Sequence, residues 1–192
     1  LAAHNIALQL DLGQAGVDAN PLHITAAQAH TLIADGLTFV AHDNIVMDVS
    51  ATGSTHLSNS LKDLEKLRVD AVAVAGGGDL IVQLGDTDLH SAITGGITDG
   101  QLMPTFTGGS QVAIEMGVDS LTADLGNLAT GDAATLEARG ITDINLTVAD
   151  LDTLVTDSGS GVGAYGQVAT GADHLAAHNI ALQLDLGQAG VD

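Results

Sequence analysis

The sequence predicts an α/β or β-rich solenoid of about five degenerate strand-bend-strand-loop-helix units per 174-residue period, and three observations carry that prediction. The first eighteen residues, LAAHNIALQLDLGQAGVD, recur unchanged at residues 175–192; self-similarity at a fixed period is the signature of repeat architectures. Short runs of alternating apolar residues recur throughout, and segments with helical apolar spacing stand between most of them. Aromatic residues amount to 2% of the chain, so the core must be built in thin layers of Ala, Val, Ile and Leu, which suits stacked units.

The strands come first along each period. Alternation marks IALQLDLG (Ile6, Leu8, Leu10, Leu12), NIVMDVS (Ile45, Met47, Val49), LIVQLG (Leu80, Val82, Leu84), QVAIEMG (Val112, Ile114, Met116) and DTLVTDSG (Leu154, Val155). Each ends in Gly or Ser, at Gly13, Ser50, Gly85, Gly117, Ser158 and again Gly187, in steps of 37, 35, 32, 41 and 29 residues. A second strand precedes most of them, as in GLTFVA, VDAVAVA and GITDINLTVA. Polar bends such as His42-Asp43-Asn44 and Gly76-Gly77-Gly78-Asp79 join the two, using residues that tolerate positive φ. Upstream, ITAAQAHTLIADG, NSLKDLEKLRVD and GDAATLEARG carry apolar residues at i, i+3, i+4 spacing and predict helices. In the second, Ser58 to Ser60 offer N-caps, Leu61, Leu64 and Leu67 share a face, and Asp63 can pair with Lys66. The helices are expected to turn into the next strand at Gly36, Arg68, Gly100, Gly140 and Gly171, four of them the residue best suited to a C′ position. DLHSAITGGITDG and GSGVGAYGQVATGAD are so rich in Gly that no regular helix is expected there. A string of sandwich domains fits less well, because helical segments recur.

Residues 1–174 are thus expected to be one full tandem repeat and residues 175–192 the start of the next, with the chain ends cut through a longer array. The alternative is a 192-residue subunit whose duplicated ends overlap between neighbours. Either arrangement grows head to tail.

The net charge of -20 comes from 24 acidic and 4 basic residues. Lys62, Lys66, Arg68 and Arg139 cannot form the clustered basic surface that phosphate backbones need, so nucleic acid is excluded as a partner. Because 45% of residues are hydrophobic and only 15% charged, the chain has the apolar surface to fold despite its acidity. Cysteine is absent, removing disulfides and thiolate metal sites. No apolar run approaches the roughly 18–20 residues of a membrane span, so no membrane insertion is expected.

Carboxylates carry the candidate chemistry. Asp86 with Asp88, and Asp150 with Asp152, stand two positions apart, and Asp79 lies at a strand start; grouped hard oxygen donors suit calcium, making these five the expected ligands. Asp43, Asp119 and Asp157 occupy comparable strand ends. Turn capping and loop solvation compete with calcium at every one of these positions, and a high-salt habitat would also account for the acidity. His174 and His178 have the i, i+4 spacing of a helical zinc pair, although His178 repeats His4 just before a strand and reads as an exposed loop residue. Gly161, Gly163 and Gly166 match a dinucleotide-loop spacing, but no clear helix follows, and a flexible loop is the better reading. Asp86 with Asp88 could also form an acid-base pair for sugar cleavage, but aromatic platforms are missing. No Gly-x-Ser-x-Gly elbow accompanies the serines, so the chain is not expected to be an enzyme.

In class, the chain resembles the long acidic, Cys-free tandem-repeat proteins that bacteria export as adhesins, surface layers or fibres. The segment GGGDLIVQL, with Gly76, Gly77, Gly78, Asp79 and Ile81, is similar to part of the calcium-binding repeat-in-toxin nonapeptide. It differs in occurring once and in placing Asp79 immediately after Gly78. The resemblance implies an extracellular or cell-surface location, calcium as the cofactor and other repeats of the same protein as partners. The expectation is therefore a filament, sheath or surface-layer segment, with a calcium- or glycan-binding adhesin stalk as the alternative.

Overall fold

All strand pairings are parallel in a computed structural model that describes residues 8–13, 20–85, 89–95, 102–117, 125, 128–147 and 162–185. The fold is mixed α/β, and its sheets are open, not closed into a barrel. The strands are β1 (Leu8–Leu10), β2 (Leu22–Thr25), β3 (Leu37–Phe39), β4 (Ile45–Ser50), β5 (Thr55–His56), β6 (Ala71–Ala75), β7 (Leu80–Gln83), β8 (Thr105–Gly108), β9 (Val112–Gly117), β10 (Asp143–Thr147) and β11 (Ala181–Asp185). The helices are α1 (Ala26–Ala34), α2 (Leu61–Leu67), α3 (Leu89–Thr94), α4 (Thr130–Ala138) and α5 (Val162–Ala177).

Parallel neighbours need a long crossover, and here it runs through a second sheet and a helix. β2, β4, β6 and β8 lie side by side in a four-stranded sheet, while β5, β7, β9, β10 and β11 form a five-stranded one. Between α2 and α3, and again between α3 and α4, the chain adds a strand to the first sheet, bends, and adds one to the second. The order of helix, strand, bend and strand read from sequence holds in these two passages. Before them, β3 leaves α1 to pair with β1 in a two-stranded sheet, giving three strands between helices; after them, α4 leads straight to β10.

Stacking places like side chains over like. Met47, Val72 and Phe106 are in register across the first sheet, and Val82, Ile114, Ile144 and Leu182 across the second. With Leu61, Leu64, Leu67, Leu89, Leu136 and Leu175 from the helices they form one buried cluster, except that Leu182 is partly buried and packs against its end. Parallel sheets are usually covered on both faces and read as continuous apolar runs. Here β4 alternates buried with more accessible positions, and that one-sided burial explains the period-two pattern in the sequence.

Local sequence fixes the element ends. Thr25 and Gln28 close a reciprocal capping box on α1, and Ser60 and Asp63 do the same on α2. The Asp63 carboxylate therefore turns back to the Ser60 backbone and hydroxyl, at 3.3 and 2.8 Å, the role that sequence assigned to a pair with Lys66. The bend glycines are set by contact: a Cβ on Gly108, at φ 78°, would stand 2.2 Å from the Val74 carbonyl oxygen.

Several expectations need correction. Both Gly-rich stretches carry helices: DLHSAITGGITDG holds α3, and the stretch before residue 175 is the sixteen-residue α5. Gly171 does not end it but lies inside, where a Cβ would meet the Leu125 carbonyl oxygen at 2.1 Å; the left-handed exit falls at Asn179, φ 57°. Gly163 and Gly166 are helical, which removes both the flexible-loop and the phosphate-loop readings of that motif. β2, β5 and β8, two to four residues long, are too short for apolar alternation to mark them in the sequence. Gly100 and the DTLVTDSG strand lie outside the described residues.

Candidate assembly site

The repeated segment occupies both ends of the fold, and its two copies bond differently. β11 covers Ala181–Asp185, identical in sequence to residues 7–11. It pairs with β10 from Ala181 opposite Asp143 to Asp185 opposite Thr147. The Ala181 N–H donates to the Thr142 carbonyl at 2.9 Å. Along a strand, successive residues direct their N–H and C=O to opposite edges. Residues 181, 183 and 185 therefore bond β10, and residues 182 and 184 face the other edge, to which no strand pairs among the described residues.

At the other end β1 pairs with β3, Leu8 opposite Leu37 and Leu10 opposite Phe39. There the Leu10 carbonyl accepts the Val40 N–H at 3.0 Å. Leu10 is the repeat equivalent of Leu184. The same sequence thus binds β10 with one edge and β3 with the other, so one strand could hold both neighbours at once.

The side chains agree with the backbone. Leu182 packs against the core, as do Leu10 and Leu12, while Leu8, the equivalent of Leu182, is 46% exposed. An apolar groove of about 550 Å³ opens beside β1, lined among others by Leu10, Leu12, Leu22, Ile24, Leu32 and Phe39. At the far end Leu175 and Ile180 are buried, and the turn between them closes through an Ile180 N–H bond to the Leu175 carbonyl at 3.0 Å.

Polar clusters surround this frame. Of the expected calcium ligands, Asp79 sits on the bend before β7, half-buried, with its N–H on the Gly53 carbonyl at 2.9 Å. It lines a small polar cleft of about 140 Å³ with Asp143, Asn145 and Gln183. Asp86, Asp88, Asp150 and Asp152 lie outside the described residues, as do Asp119 and Asp157. His174 and His178 engage different partners: His174 Nδ1 lies 2.8 Å from the Leu128 carbonyl, and His178 Nδ1 2.8 Å from Glu137 Oε2.

Sequence reading missed the cluster of Asp11, His42 and Asp43, whose ligand atoms lie within 4.8 Å of one another. Asp43 was visible as a strand-end carboxylate and His42 as a bend residue, but only the β1–β3 register brings Asp11 beside them. It also missed Glu65, fully buried on α2 with both carboxylate oxygens lacking a hydrogen-bond partner. Burial pushes its pKa up to about 8.

Among the described residues no helix is long and apolar enough to cross a membrane. Compared with known protein families, curated proteins and solved structures, the chain matches none of them.

Proposed function

We propose that the chain is a structural repeat of an extracellular filament, sheath or surface-layer protein, an α/β solenoid that continues end to end with a period of 174 residues. Residues 1–174 then make one repeat and residues 175–192 begin the next. The observation that supports this most strongly is the opposite-edge bonding of one repeated strand. Superposing the two copies extends the five-stranded sheet by the equivalent of β3 and brings the half-exposed Leu8 to the packed position of Leu182. Its partner is therefore another copy of itself, and no enzymatic role is proposed. The extracellular location is carried by the resemblance of this acidic, cysteine-free chain to exported bacterial repeat proteins.

The test is polymerisation of three chains of different extent. The 192-residue chain satisfies β10 and β3 with its own two copies and is expected to sediment as a monomer. A chain of residues 1–174 leaves the β10 edge bare while carrying β1, so it is expected to polymerise head to tail. A chain of residues 19–174 lacks both copies and is expected not to. A folded 1–174 chain that stays monomeric at high concentration would sink the proposal.

A second reading is favoured by the polar cleft around Asp79 and Asp143: an adhesin stalk repeat that holds calcium or a glycan on the outer face of the five-stranded sheet. Folded 1–174 monomers with saturable calcium or glycan binding would support it.

A further inference from the structure

We propose that Asp11, His42 and Asp43 form a site for a divalent transition metal of the zinc class, pinning the end of β1 to the β3–β4 bend. Asp43 is 4% exposed, and its two carboxylate oxygens are treated unequally. Oδ2 accepts the Leu12 N–H at 3.1 Å. Oδ1 is buried with no hydrogen-bond partner and lies 3.9 Å from His42 Nε2. The same imidazole nitrogen lies 3.4 Å from Asp11 Oδ1, which is held in place by the Gly13 N–H at 2.8 Å.

A buried carboxylate oxygen with no donor is costly, and a cation is the partner that removes the cost. Ligands about 2.0–2.2 Å from a tetrahedral zinc stand about 3.4 Å apart, close to the spacing of His42 from Asp11. Calcium wants six to eight oxygens, whereas an imidazole nitrogen with two carboxylates suits zinc and its first-row neighbours. The open side of the cluster leaves room for water, since the side chains of His42 and Asp11 are 59% and 60% exposed.

Asp185 is the repeat equivalent of Asp11, so in an assembled array the metal would bridge each joint between repeats. That last step rests on the proposed assembly; the metal site itself does not.

The test is titration of zinc chloride into the folded 192-residue chain by calorimetry, with cobalt(II) absorption as the report of coordination. One equivalent is expected to bind, and His42→Ala and Asp11→Asn should each weaken it by about tenfold or more. His42→Ala should also abolish the tetrahedral cobalt bands. His23→Ala is the control, because His23 Nδ1 lies 3.0 Å from both carboxylate oxygens of Asp48 in a separate exposed pair. Zinc binding that survives His42→Ala, that falls equally in His23→Ala, or that is absent from the folded chain overturns the site. Because the titration uses single chains, its failure is separable from failure of polymerisation.

Discussion

Replacing Glu65 with Gln should change how stability depends on pH, and the size of the change follows from burial. Glu65 lies on the buried side of α2, fully inaccessible, with neither carboxylate oxygen hydrogen-bonded. Its pKa is raised from 4.5 to about 8 by desolvation, so the folded chain keeps the proton that the unfolded chain releases. The folded state therefore binds more protons between those two values, and stability falls as pH rises through them. The contribution is fully present below pH 4.5 and is lost as pH rises through 8. At about 1.4 kcal/mol per pK unit, the loss between pH 5 and pH 8 comes to about 3–4 kcal/mol. Gln is nearly isosteric and does not titrate. Urea unfolding followed by far-UV circular dichroism at pH 5, 6, 7 and 8, at constant ionic strength, isolates the effect as the difference between wild type and Glu65→Gln. Other carboxylates titrate in both proteins and cancel. The variant should gain steadily on the wild type over this range; a difference that stays flat from pH 5 to 8 would refute burial of a neutral carboxyl.

Two backbone predictions follow from the turns. Arg68 ends α2 in the left-handed conformation at φ 65°, the geometry that Gly36 and Gly140 hold at φ 68° and 84°, so Arg68→Gly should raise the melting temperature through a gain of up to about 1 kcal/mol. Gly108→Ala should do the reverse, because its Cβ would press on the Val74 carbonyl and φ is 78°; a loss of about 2–4 kcal/mol is expected in urea unfolding, and a loss under about 1 kcal/mol would mean that the stacked bends yield.

Most of the fold was legible because its burial is one-sided. Strands such as β4, with Ile45, Met47 and Val49 buried, announce themselves by alternation, and α2 by Leu61, Leu64 and Leu67. The misses share a cause: tertiary contacts overrode local signals. α5 tolerates its glycines where one of them passes over Leu125, although each Gly costs a helix about 1 kcal/mol by propensity. β5 is two residues long and exists only through its pairing with β7. The candidate sites show the same division. Repetition of the edge strand was plain in the sequence, but its two bonding edges were not, because edge choice depends on which neighbours stack beside it. The β1 end meets Asp43 across 31 positions, from Leu12 to Asp43, a distance that no local motif spans.

The direction of β1 and β11 limits which assemblies the repeated strand can build. A two-fold axis perpendicular to the sheet would pair copies of one strand antiparallel. A two-fold along the strand would keep them parallel but turn the apolar faces to opposite sides. Both β10–β11 and β1–β3 are parallel pairs, and the Leu182 and Leu10 side chains both face the core. Joining them through one strand keeps strand direction and buried face alike, which neither two-fold does. Such a joint is heterologous, and it repeats as an open array wherever the rotation between copies does not close a ring. The proposed assembly is therefore a polar, head-to-tail one, and a two-fold symmetric dimer of 1–174 chains, in place of a ladder of oligomers, would contradict the edge assignment even if the chains associated.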